Sequence, residues 1–267
     1  MKKREAEVAG TKVVWREDEP RTPILYVHGV PNSGVMWEPF LARTGGVAPD
    51  LPGFGESGKS AGFDYSIEGY GDFLEAFVDH LGLDRFALVM HDWGAVGLEL
   101  AQRRPEAVER MVLMDIVPFL PGFRWHGTAR IWRAPLAGEL FMGTSSRWMA
   151  KRWLRLVKAI GPEHLDAMVD QIWEHLDHGS QRAILKLYRS APSDVLARAG
   201  NRLGDITAPA LVVWGEDDHF VPIPFAHAYA DALGGEARVE LVPGGVHWVW
   251  LEQPDTIATI AAFLGDH

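Results

Sequence analysis

The sequence has no cysteine. Disulfides and thiolate metal sites are thereby excluded, and a reducing compartment suits the chain. It also lacks any apolar run near the roughly 18 residues that a bilayer span needs, and no apolar export core follows the charged start MKKR. A soluble, cytoplasmic protein with no membrane partner is expected. Positive charge is in short supply: 26 Lys and Arg face 36 Asp and Glu, for a net −10. Basic residues cluster only in that opening MKKR and, dispersed, in AKRWLRLVK at 150–158. Nucleic acid is therefore not an expected partner, and nothing calls for a metal or a cofactor.

What is abundant is apolar surface, 47% of 267 residues, enough for a substantial core. Short β-rich runs at 23–29, 45–50, 86–92, 108–115, 209–217 and 237–245 alternate with segments whose apolar residues recur at helical spacing, such as IEGYGDFLEAFVDHLG and PDTIATIAAFLG. That alternation predicts an α/β fold with a mostly parallel central sheet and helices on both faces. Between residues 118 and 204 the strands stop, and TARIWRAPLAGELFMG, SRWMAKRWLRLVKAIG, EHLDAMVDQIWEHLDHG and QRAILKLYRSAP all read as helical. Alternation then resumes with no linker composition between. The expected organisation is one core formed by residues 1–117 and 205–267, interrupted by a helical cap at 118–204.

Parallel sheets gather functional groups at the carboxyl ends of their strands. His28-Gly29, Asp92, Asp115, Asp217-Asp218 and His247 all fall at or just after such ends. A nucleophile candidate first, an acid later and a histidine last is the chain order of the α/β-hydrolase triad. The segments HGVPNSGVMW, DLPGFGESGK, HDWGAVG, WGEDDHFVP and GGVHWVWLEQPD, in that order, resemble the α/β-hydrolase family over essentially the whole chain. Within the family the chain is similar to the epoxide hydrolases and haloalkane dehalogenases, whose nucleophile elbow carries aspartate instead of serine. The resemblance implies Asp92 as nucleophile, His247 as base, Asp218 as the acid that orients it, and the amides of Trp93 and Val30 as oxyanion donors. Asp115 competes for the acid role, because some related dehalogenases take that carboxylate from the earlier strand. His28 and His91 are expected to satisfy backbone groups near the site, Asp217 to be a solvated turn residue, and Ser57, outside any elbow, a loop residue. Met90 stands where the elbow usually has a small residue and is expected to crowd the turn, while Gly94 keeps the close passage of strand and helix.

Chemistry supports an aspartate nucleophile independently. A carboxylate attacking an ester or amide gives a high-energy anhydride, whereas attack on a saturated carbon with a good leaving group gives an ordinary ester. The substrate expected is therefore a small molecule with an activated sp³ carbon, and a histidine must then activate water to release the product. The segment LKLYRSAP resembles the part of epoxide hydrolases whose tyrosine protonates the epoxide oxygen, which implies that role for Tyr188. The second tyrosine of that pattern is missing, and Trp132 stands about where it belongs; an indole can bind an oxygen or a halide but cannot give up a proton as an acid. Trp93 could receive a halide through its own indole N–H. Dehalogenases usually carry Asn or Glu where Val30 stands, and the elbow helix has no arginine to hold a haloacid. On balance an epoxide is expected ahead of an alkyl halide, with a catalytically inactive binding protein of the same fold as the alternative of a different class.

Overall fold

The computed structural model describes residues 1–19 and 23–265. Eight strands, β1 (Lys2–Val8), β2 (Thr11–Asp18), β3 (Ile24–Val27), β4 (Gly46–Pro49), β5 (Phe86–His91), β6 (Val108–Met114), β7 (Ala210–Gly215) and β8 (Ala237–Val242), form one sheet in the order β1-β2-β4-β3-β5-β6-β7-β8. Only β2 runs against its neighbours; β4 to β8 pair in parallel.

The central strands alternate strictly between two cores. Leu25, Val27, Leu88, Met90, Met111, Leu113, Val212 and Trp214 face one side. Ile24, Tyr26, Ala87, Val89, Val112, Met114, Leu211 and Val213 face the other. A parallel sheet needs both faces covered, which is why these strands read as continuous apolar runs rather than alternating ones. The first core is covered by α2 (Ile67–Leu81), by α3 (Gly97–Arg103) and by α10 (Pro224–Ala232). The second lies under α1 (Glu38–Thr44), the short α11 (Val249–Glu252) and α12 (Asp255–Leu264). Local signals set the helix ends: Ser66 caps α2 by accepting from the Gly69 amide at 3.0 Å, and Gly82, at φ 65°, stops it in the left-handed region.

Between β6 and β7 run six helices: α4 (Gly127–Arg133), α5 (Ala137–Thr144), α6 (Arg147–Leu156), α7 (Leu165–His175), α8 (His178–Ser190) and α9 (Ser193–Ala199). All eight strands lie in the segments 1–117 and 205–267, of which residues 20–22 and 266–267 fall outside the described residues. The first helical segment expected there is two helices, because Pro135 cannot continue α4 and Leu136 turns the chain at φ 64°. The two first strands carry no apolar signal equal to the others. β1 is an edge strand, exposed over Lys2–Glu5, and its hairpin with β2 turns on Ala9-Gly10, both at positive φ as a tight two-residue hairpin demands.

Candidate active site

β5 delivers the chain to Asp92, and a 3-10 turn over Asp92–Val96 hands it to α3. Asp92 takes φ 52°, a region that a residue other than glycine enters at a cost. Glycines make the room. A Cβ on Gly94 would sit 2.1 Å from the Val27 carbonyl oxygen, and one on Gly29 would sit 2.4 Å from the Asp92 Cβ. Met90 does not crowd the turn, since its thioether lies over the bare backbone of Gly97, where a Cβ would meet Sδ at 3.0 Å.

The segments that follow four strands, β3, β5, β7 and β8, converge here. Asp92 Oδ1 accepts the Val30 amide at 2.7 Å, and Oδ2 lies 3.5 Å from His247 Nε2. On the far side of the ring, His247 Nδ1 is 2.9 Å from Asp218 Oδ2. Asp218 Oδ1 accepts the amides of Phe220 at 2.6 Å and Val221 at 3.3 Å, so its carboxylate is fixed by its own loop. All three side chains are buried. Burial alone would raise the Asp92 pKa, but the His247 hydrogen bond and charge, with the Val30 amide, hold it below the usual carboxylate range. Burial likewise works against the His247 imidazolium, and the Asp218 and Asp92 carboxylates overcome it, holding that pKa well above the ordinary histidine value.

Asp115 follows β6 at φ 42°, fully buried, and accepts the Gly215 amide at 2.9 Å on one oxygen while the other has no hydrogen-bond partner. Burial, then the neighbouring Asp218 charge, push its pKa well above the usual range. It makes no hydrogen bond or ion pair with His247; Asp218 does. His28 bonds the Gly29 carbonyl at 2.7 Å and accepts the Leu51 amide at 2.9 Å, and His91 bonds the His247 carbonyl at 2.8 Å. Burial, followed by the His247 charge, drops His91 to about 3, so it is neutral. Ser57 bridges the Val14 amide and the Asp50 carbonyl, and Asp217 is exposed in its turn.

Asp92 and His247 open onto a cavity of about 250 Å³ with Val30, Trp132, Tyr188 and Phe220 among its walls and no Lys or Arg. The Tyr188 ring is packed by three indoles: Trp93 at 5.2 Å and Trp132 at 4.9 Å, both edge-on, and Trp125 at 4.9 Å. Trp125 donates to the Ala191 carbonyl at 2.9 Å. The Trp132 N–H is buried with no acceptor; the Trp93 N–H is buried and closes no full hydrogen bond either, but it faces the Tyr188 hydroxyl closely enough to lower its pKa somewhat. Trp37 and Trp248 leave theirs unpaired as well, and Trp248 lines the cavity too; Trp93 and Trp132 differ from both in that they flank the Tyr188 ring. Burial, with the Asp92 charge added, pushes the Tyr188 hydroxyl well above its usual pKa, so it stays protonated.

Sequence reasoning missed Trp125 and His126. His126 lines the cavity and caps α4, its Nδ1 accepting the Ala129 amide at 3.4 Å, which leaves the proton on Nε2 in the neutral ring. Burial first, and the His247 charge against the opposing pull of Asp92, lower it to about 4. Its one signal in sequence is its place directly before a helix, where histidine is not among the preferred caps. Among the described residues no three His, Asp or Glu side chains are grouped to hold a metal ion.

A profile of the family described as alpha/beta hydrolase fold matches residues 22–254. The haloalkane dehalogenase of Bradyrhizobium diazoefficiens is 28% identical over 292 aligned positions, covering 97% of this chain and 92% of its own. That of Agrobacterium fabrum is 29% identical over 260 positions, covering 89% and 83%. Among solved structures, haloalkane dehalogenase DbeA from Bradyrhizobium elkani superposes with a TM-score of 0.80 at 25% identity, over 98% of this chain and 97% of that one.

Proposed function

We propose, for a chain that belongs to the alpha/beta hydrolase fold family, a cofactor-free hydrolase that displaces halide from small uncharged alkyl halides through an aspartyl ester, with residues 118–204 as a cap over a core of 1–117 and 205–267. The observation that carries the halide reading is the buried Trp132 indole N–H, which stands on the cavity wall with no acceptor, together with the Trp93 N–H packed against the same Tyr188 ring. A buried unpaired donor costs stability and calls for an explanation; a leaving halide is an acceptor that completes both. The named relatives point the same way. The absence of Lys and Arg from the cavity walls argues against a carboxylate substrate. This reverses the order of preference that the sequence alone supports, in which an epoxide stands first.

In this reading Asp92 Oδ2 attacks the carbon, the carbon–halogen bond breaks, and the halide leaves with the bonding pair toward the two indoles. The resulting ester has lost the Asp92 charge. One of the two carboxylates that hold His247 protonated is thereby removed, so its pKa falls toward that of a general base. Neutral His247 takes a proton from water, which adds to the ester carbonyl; the Val30 amide, already on Oδ1, and the neighbouring Trp93 amide stabilise the oxyanion. Asp218 stabilises the imidazolium, and collapse returns Asp92 and releases the alcohol.

One observation keeps the epoxide reading in play: the Tyr188 hydroxyl is protonated and near enough to Asp92 to feel its charge, as a donor to an opening epoxide must be. Turnover of bromoalkanes and styrene-type epoxides, followed separately as bromide and diol, decides. Bromide without diol supports the proposal, diol without bromide exchanges the two readings, and neither assigns the chain a binding role.

A further inference from the structure

Apart from Met1, every large apolar side chain that stands exposed among the described residues falls between Ile131 and Leu156. They lie on α4, on α5 with its first turn, and on α6. Exposed apolar side chains gathered in one segment mark an interaction surface, whereas scattered ones mean nothing.

The charge of that segment is as unusual as its apolarity. Residues 147–158 hold Arg147, Lys151, Arg152, Arg155 and Lys158 and no carboxylate, in a chain of net charge −10. Arg147 and Lys151 are engaged by Asp170 and Asp166 of α7. Arg152 makes a cation–π contact with the Trp148 ring at 5.9 Å, and neither Arg152 nor Arg155 closes an ion pair among the described residues. At the helical step of about 100° per residue, Arg155, Trp148, Arg152, Leu156 and Met149 follow one another within an arc of about 120°. All five are exposed, Trp148 at 69% and Leu156 at 79%. Met149, at the edge of that arc, and beyond it Ala150, Trp153 and Leu154 line the cavity above Asp92, whereas Trp148, Arg152, Arg155 and Leu156 do not.

We propose that the outer face of α6 docks the protein on an anionic lipid bilayer, with Arg152 and Arg155 on the headgroups and Trp148 and Leu156 in the acyl boundary. An interfacial helix has this composition, large apolar and aromatic side chains interleaved with cations. A second copy of the chain fits less well, since a twofold contact would pair this face with itself and bring four arginines together with no carboxylate from residues 147–158 to balance them. No helix among the described residues is long and apolar enough to cross a membrane, so the docking is peripheral. The sequence-based expectation of no membrane partner rests on the absence of spanning runs and of an export signal, and neither bears on this mode. If the substrate is the apolar molecule proposed above, the docked helix puts the cavity wall next to the phase where such a molecule concentrates; the docking itself does not rest on that reading.

Vesicle flotation of the full chain tests it, with phosphatidylcholine alone and with phosphatidylcholine containing phosphatidylglycerol. Two double variants, R152E/R155E and W148S/L156S, change no residue of the cavity wall. The wild type floats with the anionic vesicles and not the neutral ones, and added salt weakens the binding. Each double variant loses about tenfold or more of the bound fraction while its thermal unfolding stays as in the wild type. Failure of the wild type to float with anionic vesicles overturns the proposal, as does equal binding to both vesicle types or unchanged binding of the variants. Light scattering that shows a dimer dissolved by W148S/L156S, without vesicle binding, gives the face to a second copy and overturns it too.

Discussion

Replacing Trp132 by phenylalanine keeps an aromatic wall and deletes one N–H, and the unpaired state of that N–H makes the outcome unusual. In bromide displacement the donor acts on a charged leaving group, and a hydrogen bond to an ion contributes about 1.5–3 kcal/mol, or roughly 10- to 150-fold in rate. Stability should behave differently. Trp132 is buried and its N–H has no acceptor, so the substitution relieves an unsatisfied donor that costs about 1–3 kcal/mol. The smaller ring leaves a void whose cost is of similar size. The two nearly cancel, and for a chain of this length a residual of about 1 kcal/mol moves Tm by only some 2–4 °C. The assays are steady-state bromide release from a bromoalkane, inhibition by added bromide, diol formation from an epoxide, and a calorimetric scan. Bromide release and the affinity for bromide should fall together, Tm should hold, and any epoxide turnover should change little. A variant that releases bromide at the wild-type rate but melts far lower would show that Trp132 is core packing and that the halide argument is wrong.

Four further outcomes follow from the same site. His247→Gln should still be alkylated but not hydrolyse the ester, so a mass increase should accumulate on the peptide containing HDWGAVG; normal turnover with no adduct would remove His247 from the mechanism. Asp218→Asn should slow ester hydrolysis by orders of magnitude because it releases the ring, whereas Asp115→Asn, which keeps the acceptor for the Gly215 amide, should leave turnover largely intact. Because the folded state raises the Asp115 pKa, its contribution favours folding below the unfolded value near pH 4 and is lost as pH rises through the folded one, so the Tm advantage of Asp115→Asn should grow from about pH 4 upward; a pH-independent difference refutes that titration. Gly29→Ala would put a methyl 2.4 Å from the Asp92 Cβ and should abolish adduct formation even in the His247→Gln background, and retention of the adduct would mean that the Asp92 side chain has room to move.

The central sheet and both flanking layers are legible in the sequence because a strand buried on two faces must be apolar throughout, and β3, β5, β6 and β7 are nearly so. β1 escapes notice for the converse reason: an edge strand in water has nothing apolar to hide, and its Lys2, Lys3 and Arg4 read as a charged terminus. The residues that meet at Asp92 each sit in a motif at a strand end and could be singled out in advance. Asp218 is preferred over Asp115 in the sequence on the family resemblance and not on spacing, since both follow strands adjoining the site; in the structure Asp218 is the carboxylate that reaches His247 Nδ1. Trp125 and His126 stayed hidden because they lie in an irregular stretch between β6 and α4, where neither period nor motif singles out a side chain.

The bond from Asp115 to the Gly215 amide joins two residues one hundred positions apart in the chain, one where it leaves the sheet for the six helices and one just after it has returned. It acts as a clasp across the neck of a loop. The segment above the clasp supplies Trp132, Tyr188 and most of the cavity wall, and the strand ends below it carry Asp92, Asp218 and His247. The triad and most of the cavity wall are thus written in separate stretches of sequence, with Trp132 as the one proposed chemical group that the helices bring. Exchange of the helices for those of a relative, cut inside the clasp, should change which substrates fit while the geometry of Asp92, Asp218 and His247 stays in place.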